Sequence, residues 1–180
     1  MKIAVIGHSG AGKSCLSAFL GEQYALPVLH VDRLHYLPNW AERDDEEAGA
    51  LMQAFLEENQ SGWVIDGNYT RLKYMERMEK ADRIIFLKFG PLSCFFRAWK
   101  RGLAYRKKSR DSRPVGCEEK LDLDFAGWIL FGSRTKKAMT KYTSVMEKYP
   151  EKMIILRNQK QLDAFYANPD AFLFPATPTH

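Results

Sequence analysis

Cysteine is scarce in this 180-residue chain, with only Cys15, Cys94 and Cys117, widely spaced and forming no C-x-x-C pair. That excludes a disulfide framework and a paired-cysteine zinc site, and it fits a reducing cytoplasm. Long apolar runs are missing as well, and none approaches the roughly 20 residues that a membrane-spanning helix takes. The N-terminus lacks the basic, apolar, small-residue order of a signal peptide. The expectation is therefore a cytoplasmic protein with no membrane partner. There is no internal repeat, no low-complexity tract, and no helix-turn-helix or zinc-finger pattern. What is present is 46% hydrophobic and 13% aromatic residues, enough for one packed domain, with a net charge of +5 that favours an anionic ligand.

The apolar run Lys2-Ile3-Ala4-Val5-Ile6 leads directly into Gly7-His8-Ser9-Gly10-Ala11-Gly12-Lys13-Ser14, and Cys15 to Leu20 then reads as an amphipathic helix. This is a complete G-x-x-x-x-G-K-[ST] motif between a strand and a helix. Its backbone N–H groups, from Gly7, Ser9, Gly10, Ala11 and Gly12 through to Cys15, can wrap a polyphosphate at the positive end of the helix. Lys13 is expected to reach the β- and γ-phosphates, and the Ser14 hydroxyl to bind Mg²⁺. The plainer alternative is a glycine-rich turn with an incidental lysine.

Further along, apolar runs at 2–6, 27–31, 62–66, 83–89 and 152–156 alternate with helical patterns at 13–24, 44–59, 69–79, 91–108, 119–148 (broken near Gly132) and 159–167. The runs are continuously hydrophobic rather than alternating, as in a parallel sheet covered on both faces. The predicted fold is α/β: a P-loop NTPase with a doubly wound five-stranded parallel sheet, in one domain over 1–180. Right-handed crossovers bring the strand C-terminal ends to one edge, where ligands bind. The tail, 168–180, is expected to be loose.

Two aspartates stand at that edge, Asp32 after the second strand and Asp66 at the tip of the third. Either can hold Mg²⁺ or orient an acceptor hydroxyl, and the division between them is left open. Each is equally read as a turn-capping Asp. Gly67, Asn68, Tyr69 and Arg71 continue the third strand into a tight turn where a substrate loop would lie, and Trp40 and Arg43 leave the second strand. That aromatic and guanidinium can clamp a base and a phosphate, or can be a loop anchor and a surface charge. His30 and His35 bracket Asp32; on a strand His30 and Asp32 share a face, but no further ligands accompany them and a structural role is favoured.

The positive excess is concentrated in one segment, 97–113. Arg97 and Arg101 are spaced i, i+4 and fall on one helix face. As part of a lid over roughly 97–125 they would neutralise charge on a transferring phosphoryl group and exclude water. The same segment also fits a nucleic-acid contact or a solvated basic face.

The P-loop, His-x-Asp at 30–32, Leu37-Pro38-Asn39-Trp40, Trp63 to Tyr69 and the Cys94 to Arg101 segment together resemble the topology-modulation (FlaR-type) proteins, small P-loop kinases similar to adenylate kinase. The likeness runs to about residue 165. It implies the nucleoside-monophosphate-kinase fold with an arginine-bearing helical lid, ATP and Mg²⁺ at residues 7–15, and Asp32 facing the acceptor or the metal. It also implies that Arg157 and the two residues after it pack the adenine. Where adenylate kinases carry Gly-Phe-Pro-Arg after the third-strand Asp-Gly, this chain has Asn68-Tyr69-Thr70-Arg71, so AMP is not implied as acceptor. The expected function is an ATP-dependent kinase moving the γ-phosphate to a small acceptor, a nucleotide or nucleoside. Lys13, Asp32, Arg97 and Arg101 are its catalytic candidates, and Ser14 and Asp66 its metal candidates. The alternative is a nucleotide-dependent nucleic-acid-binding or DNA-topology-modulating regulator. Acceptor identity and oligomeric state are not legible.

Overall fold

Five parallel strands make one sheet in the order β2-β3-β1-β4-β5. The description comes from a computed structural model and covers residues 1–104 and 123–175. The strands are β1 (Lys2–Gly7), β2 (Val28–His30), β3 (Trp63–Asp66), β4 (Arg83–Leu87) and β5 (Met153–Leu156). All five lie within or beside the predicted apolar runs.

Successive residues of a strand face opposite sides, and here both sides are apolar. Ala4 and Ile6 of β1 pack with Trp63, Ile65, Ile84 and Phe86 on one face, against α3 (Asp45–Glu58), α4 (Tyr74–Lys80) and α7 (Lys136–Lys148). Ile3 and Val5 pack with Val64, Ile85 and Leu87 on the other, against α1 (Lys13–Gln23), α5 (Pro91–Ala104), α6 (Leu123–Leu130) and α8 (Gln159–Ala167). Burial on both faces is the physical reason the strands read as unbroken apolar runs. Because β1 is central and the chain reverses direction of travel beside it, the C-terminal ends of β1 and β3 open onto a shared crevice.

Several boundaries differ from expectation. The second strand stops at His30, and residues Val31–His35 form a short helix, α2. Asp32 therefore stands in a helical first turn and does not share a strand face with His30. The helix expected from 69 begins only at Tyr74, after a loop in which Gly67 (φ +136) and Lys73 (φ +50) are left-handed. The long pattern over 119–148 is interrupted at Gly132–Arg134 by a 3₁₀ turn, where a break was read. The tail is docked as far as Leu173. Asp170–Leu173 forms α9, Leu173 is buried, Tyr24 donates to Asp170 Oδ1 at 2.5 Å, and Arg83 Nε donates to the Leu173 carbonyl at 2.7 Å. Most of the expected lid and basic segment, from 105 onward to 122, lies outside the described residues. No helix among the described residues is long and apolar enough to cross a membrane.

Candidate active site

A cavity of about 860 Å³ opens at the C-terminal edge of the sheet. This is near the upper end of the range for small-molecule sites. One wall is the loop between β1 and α1. Gly10 (φ +80) passes so close to α5 that a Cβ there would lie 2.4 Å from the Cys94 carbonyl oxygen. Gly12 (φ +100) is the residue from which α1 starts, so unpaired N–H groups of the first helical turn face the cavity beside Ser9, Lys13, Ser14 and Cys15. Lys13 Nζ donates to the His8 carbonyl at 3.3 Å, a contact that curls the side chain back over the loop. Burial pulls the Lys13 ammonium below its ordinary range, while the Asp32 and Asp66 carboxylates oppose that shift and Arg101 adds to it.

The opposite wall is assembled from distant segments. Asp32 comes from α2 and Tyr36 from the extended residue that follows it, Trp40 from the next 3₁₀ turn (Pro38–Trp40), Asp66 from the end of β3, and Gly67, Asn68 and Tyr69 from the loop after it. Their rings form a cluster: His35 lies 4.4 Å from Tyr69, Tyr36 5.1 Å from Trp40, and Tyr36 6.4 Å from Tyr69 between centroids. Asn39 (φ +62) and Trp40 (φ +64) are both left-handed, an uncommon state for a bulky residue and one that tends to occur at ligand sites. Burial first, then the neighbouring Asp32 carboxylate and Tyr36, push the Tyr69 hydroxyl well above the usual phenol range. Tyr69 therefore stays a neutral donor beside Asp32.

Asp66 is almost fully buried, and its Oδ2 lies 2.7 Å from His30 Nδ1 across the end of the β2–β3 ladder. A carboxylate acceptor there holds the ring proton on Nδ1. His30 thus orients one oxygen of Asp66, a partnership that the reading of His30 with Asp32 missed. Ser14 with Asp32 and Asp66 in one cavity offers the sparse oxygen set that Mg²⁺ takes, a hydroxyl and one or two carboxylates with the rest supplied by phosphate and water.

Arg97 and Arg101 both line the cavity from α5, and Arg97 is held by contacts on three sides. Its Nη1 donates to the Ala11 carbonyl at 3.1 Å, its Nη2 bonds Gln159, and the guanidinium sits 4.4 Å over the Phe89 ring. It is a brace between the phosphate loop and α8. Three other expected residues stand outside the cavity. Arg43 donates Nε to the Leu34 carbonyl at 2.9 Å and pairs with Glu47, tying the 35–43 segment to α3. Arg71 is exposed and pairs with Asp45 at 2.9 Å, and Arg157 is also exposed. Gly7 and Ala11 lie behind the loop surface rather than on it.

The sequence reading did not single out Tyr36, Phe125, Trp128 or Lys141 and took Lys100 only as part of the basic segment, yet all five line the cavity. Lys141 is the most consequential. It reaches from α7 to donate to the Asn68 carbonyl at 3.4 Å, and burial, with the charge of Lys13 nearby, lowers its ammonium from the ordinary range. Nothing separates Lys141 in sequence from the other lysines of its helix. Phe125 and Trp128 had a faint signal, two aromatics three apart on α6.

Behind the loop, His8 is buried against the Tyr142 ring at 5.4 Å, with no hydrogen-bond partner for either ring nitrogen among the described residues. Burial, followed by the Arg134, Lys13, Lys141 and Lys88 charges, lowers its pKa to about 4. The second position of the loop therefore carries a neutral packing residue.

No protein-family model matches the chain, and no curated protein does. Solved structures do. TT1252 from Thermus thermophilus is 16% identical, with 98% of this chain and 98% of that one covered and a TM-score of 0.53. Shikimate kinase from Bacteroides thetaiotaomicron is 18% identical, over 96% and 98% of the two chains, with a TM-score of 0.46. Deoxyadenosine kinase from M. mycoides is 14% identical, over 95% and 100%, with a TM-score of 0.45. At 16% identity the likeness to TT1252 is one of fold, and it agrees with a five-stranded parallel α/β sheet whose G-x-x-x-x-G-K-S loop joins β1 to α1.

Proposed function

We propose that the protein is an ATP-dependent phosphotransferase, a small P-loop kinase of the type its sequence resembles. The observation that carries this reading is the composition of the large cavity at the C-terminal edge of the sheet. A glycine loop with Lys13 stands on one side, the carboxylates of Asp32 on α2 and Asp66 at the tip of β3 on the other, and Lys100, Arg101 and Lys141 also line the cavity. Lys13 and Lys141 are both held below their ordinary pKa range, Lys141 in part by the charge of Lys13. A polyanion between them relieves that repulsion.

In this reading the loop amides from Ser9 to Cys15 and Lys13 hold the β- and γ-phosphates. Ser14 and Asp66, the latter oriented by His30, would hold Mg²⁺, which supplies charge neutralisation on the phosphates. Asp32 receives the acceptor hydroxyl, with Tyr69 donating to the Asp32 carboxylate so that it keeps its orientation. Arg101 faces the equatorial oxygens, and Lys141, which donates to the Asn68 carbonyl, stands on the acceptor side. Catalysis is then mainly positioning and electrostatics. Arg97 acts on the loop it braces rather than on the transferred group.

The aromatic wall of Tyr36, Trp40 and Tyr69, with Phe125 and Trp128 in the same cavity, suits an acceptor with a flat or apolar body. We take this acceptor to be a nucleotide or nucleoside. The relation to topology-modulation proteins, and any nucleic-acid contact through 97–113, belong to the same proposal. Labelled ATP with Mg²⁺ tests it against nucleoside monophosphates, nucleosides and short oligonucleotides. Transfer to a small acceptor supports the kinase reading, transfer only to oligonucleotide ends redirects it to polynucleotides, and failure to bind ATP overturns it.

A further inference from the structure

The β1–β3 ladder runs in register from Lys2 opposite Trp63 to Val5 opposite Asp66, and closes with the Gly67 N–H donating to the Val5 carbonyl at 3.3 Å. Beyond that point β3 leaves the sheet, because Gly67 turns at φ +136. In a parallel ladder a residue's N–H and C=O point to the same neighbour. Gly7, two residues past Val5, therefore presents both groups to a strand that is no longer there.

The Asn68 side chain takes the place of that strand. The Gly7 N–H donates to Asn68 Oδ1 at 3.2 Å, and Asn68 Nδ2 donates to the Gly7 carbonyl at 2.6 Å. A carboxamide offers a donor and an acceptor side by side in this way, which an ionised carboxylate does not. An aspartate of the same size lacks the donor. The backbone around Asn68 is held from two more directions. Lys141 Nζ donates to the Asn68 carbonyl, and the buried Arg77 guanidinium donates to the carbonyls of Gly67 and Tyr69 at 3.4 and 3.2 Å.

We propose that Asn68 is a positioning residue that joins the phosphate loop and the 66–71 loop into one mechanical piece. Its carboxamide is occupied with Gly7 and is not the acceptor contact expected from its place in the sequence. A ligand that stiffens the phosphate loop must then also stiffen 66–71, so nucleotide binding prepares the acceptor side before an acceptor arrives. The coupling rests on the nucleotide-binding reading above, and the test separates the two.

Amide hydrogen exchange is measured on the whole protein, wild type and Asn68→Ala, with and without saturating Mg·ATP. Asn68→Asp is a second variant that keeps the size and loses the donor, and it carries the test if the alanine variant does not fold. In the wild type, Mg·ATP is expected to slow exchange in 7–15 and, by at least threefold, in 66–72. In either variant 7–15 still slows, while the change in 66–72 is lost. A merely structural role for Asn68 would raise exchange in the free protein without removing the ligand-linked change. The coupling is overturned if 66–72 responds equally in wild type and variants, or does not respond in the wild type while 7–15 does. No slowing of 7–15 in the wild type overturns the nucleotide-binding reading, and the coupling with it.

Discussion

At one end of the cavity a single run of chain, within residues 9–15, supplies the lining; elsewhere the groups arrive from α2 and the residue after it, the 3₁₀ turn, the end of β3, α5, α6 and α7. The first wall is made of backbone amides, and its demands are local: glycines where φ is positive or a neighbour is close, and a lysine and a serine at the helix start. The second is made of side chains whose distances depend on β3 lying between β1 and β2. A wall of the first kind keeps its chemistry as long as the short segment keeps its shape. A wall of the second kind changes character with one residue, as Lys141 shows.

The comparison breaks most sharply at Lys13. Lys13→Ala should lower phosphate transfer by on the order of 10²–10³-fold, the scale for removing a preorganised charge from a transition state. Circular dichroism and melting should be unchanged, and activity near wild type would remove Lys13 from the mechanism.

His8 tests the packing behind the same wall through pH. Its pKa is about 4 in the folded protein against 6.5 for an ordinary histidine, so between those values the unfolded chain binds the extra proton. Stability is full above pH 6.5 and falls as pH drops toward 4, by up to about 3 kcal/mol. His8→Phe should flatten Tm against pH between 6.5 and 5, a range above most carboxylate titration. An unchanged slope would show that His8 is solvated.

On the assembled wall, Lys141→Met should raise the KM for an anionic acceptor about tenfold, the scale of one charge-assisted hydrogen bond. The Kd for ATP should stay within threefold. A larger effect on ATP than on the acceptor would place Lys141 with the donor wall. Smallest of all is Arg71→Ala. Arg71 and Asp45 are largely exposed, and such pairs contribute about 0–1 kcal/mol. Transfer should stay within twofold, and a loss above tenfold would return Arg71 to the acceptor site.

How far each wall was legible follows from the same contrast. The glycine loop, the five strands and the turn after Asp66 were readable because each is a pattern within a few neighbouring residues. Arg43 and Arg71 had the right charge in the right loops, yet their nearest partners are Glu47 and Asp45 on α3, which draw them off the cavity. Arg97 was placed correctly on its helix face, but its occupation with Ala11 and Gln159 is a contact across 86 and 62 residues. His30 was set beside Asp32 by sequence spacing. The helical turn at Val31–His35 moved Asp32 away, and the sheet brought Asp66 instead.

The sequence by itself determined that a glycine-rich G-x-x-x-x-G-K-S loop sits between a buried strand and a helix, and that the strands are covered on both faces. Those properties follow from backbone conformation and from which residues leave water, both of which are local. Tertiary structure alone decided which charges enter the cavity, that His30 orients Asp66, and that the Asn68 carboxamide substitutes for a missing strand. Each of these depends on strand order and on where a chain leaves the sheet, and no spacing along the sequence encodes a distance across it.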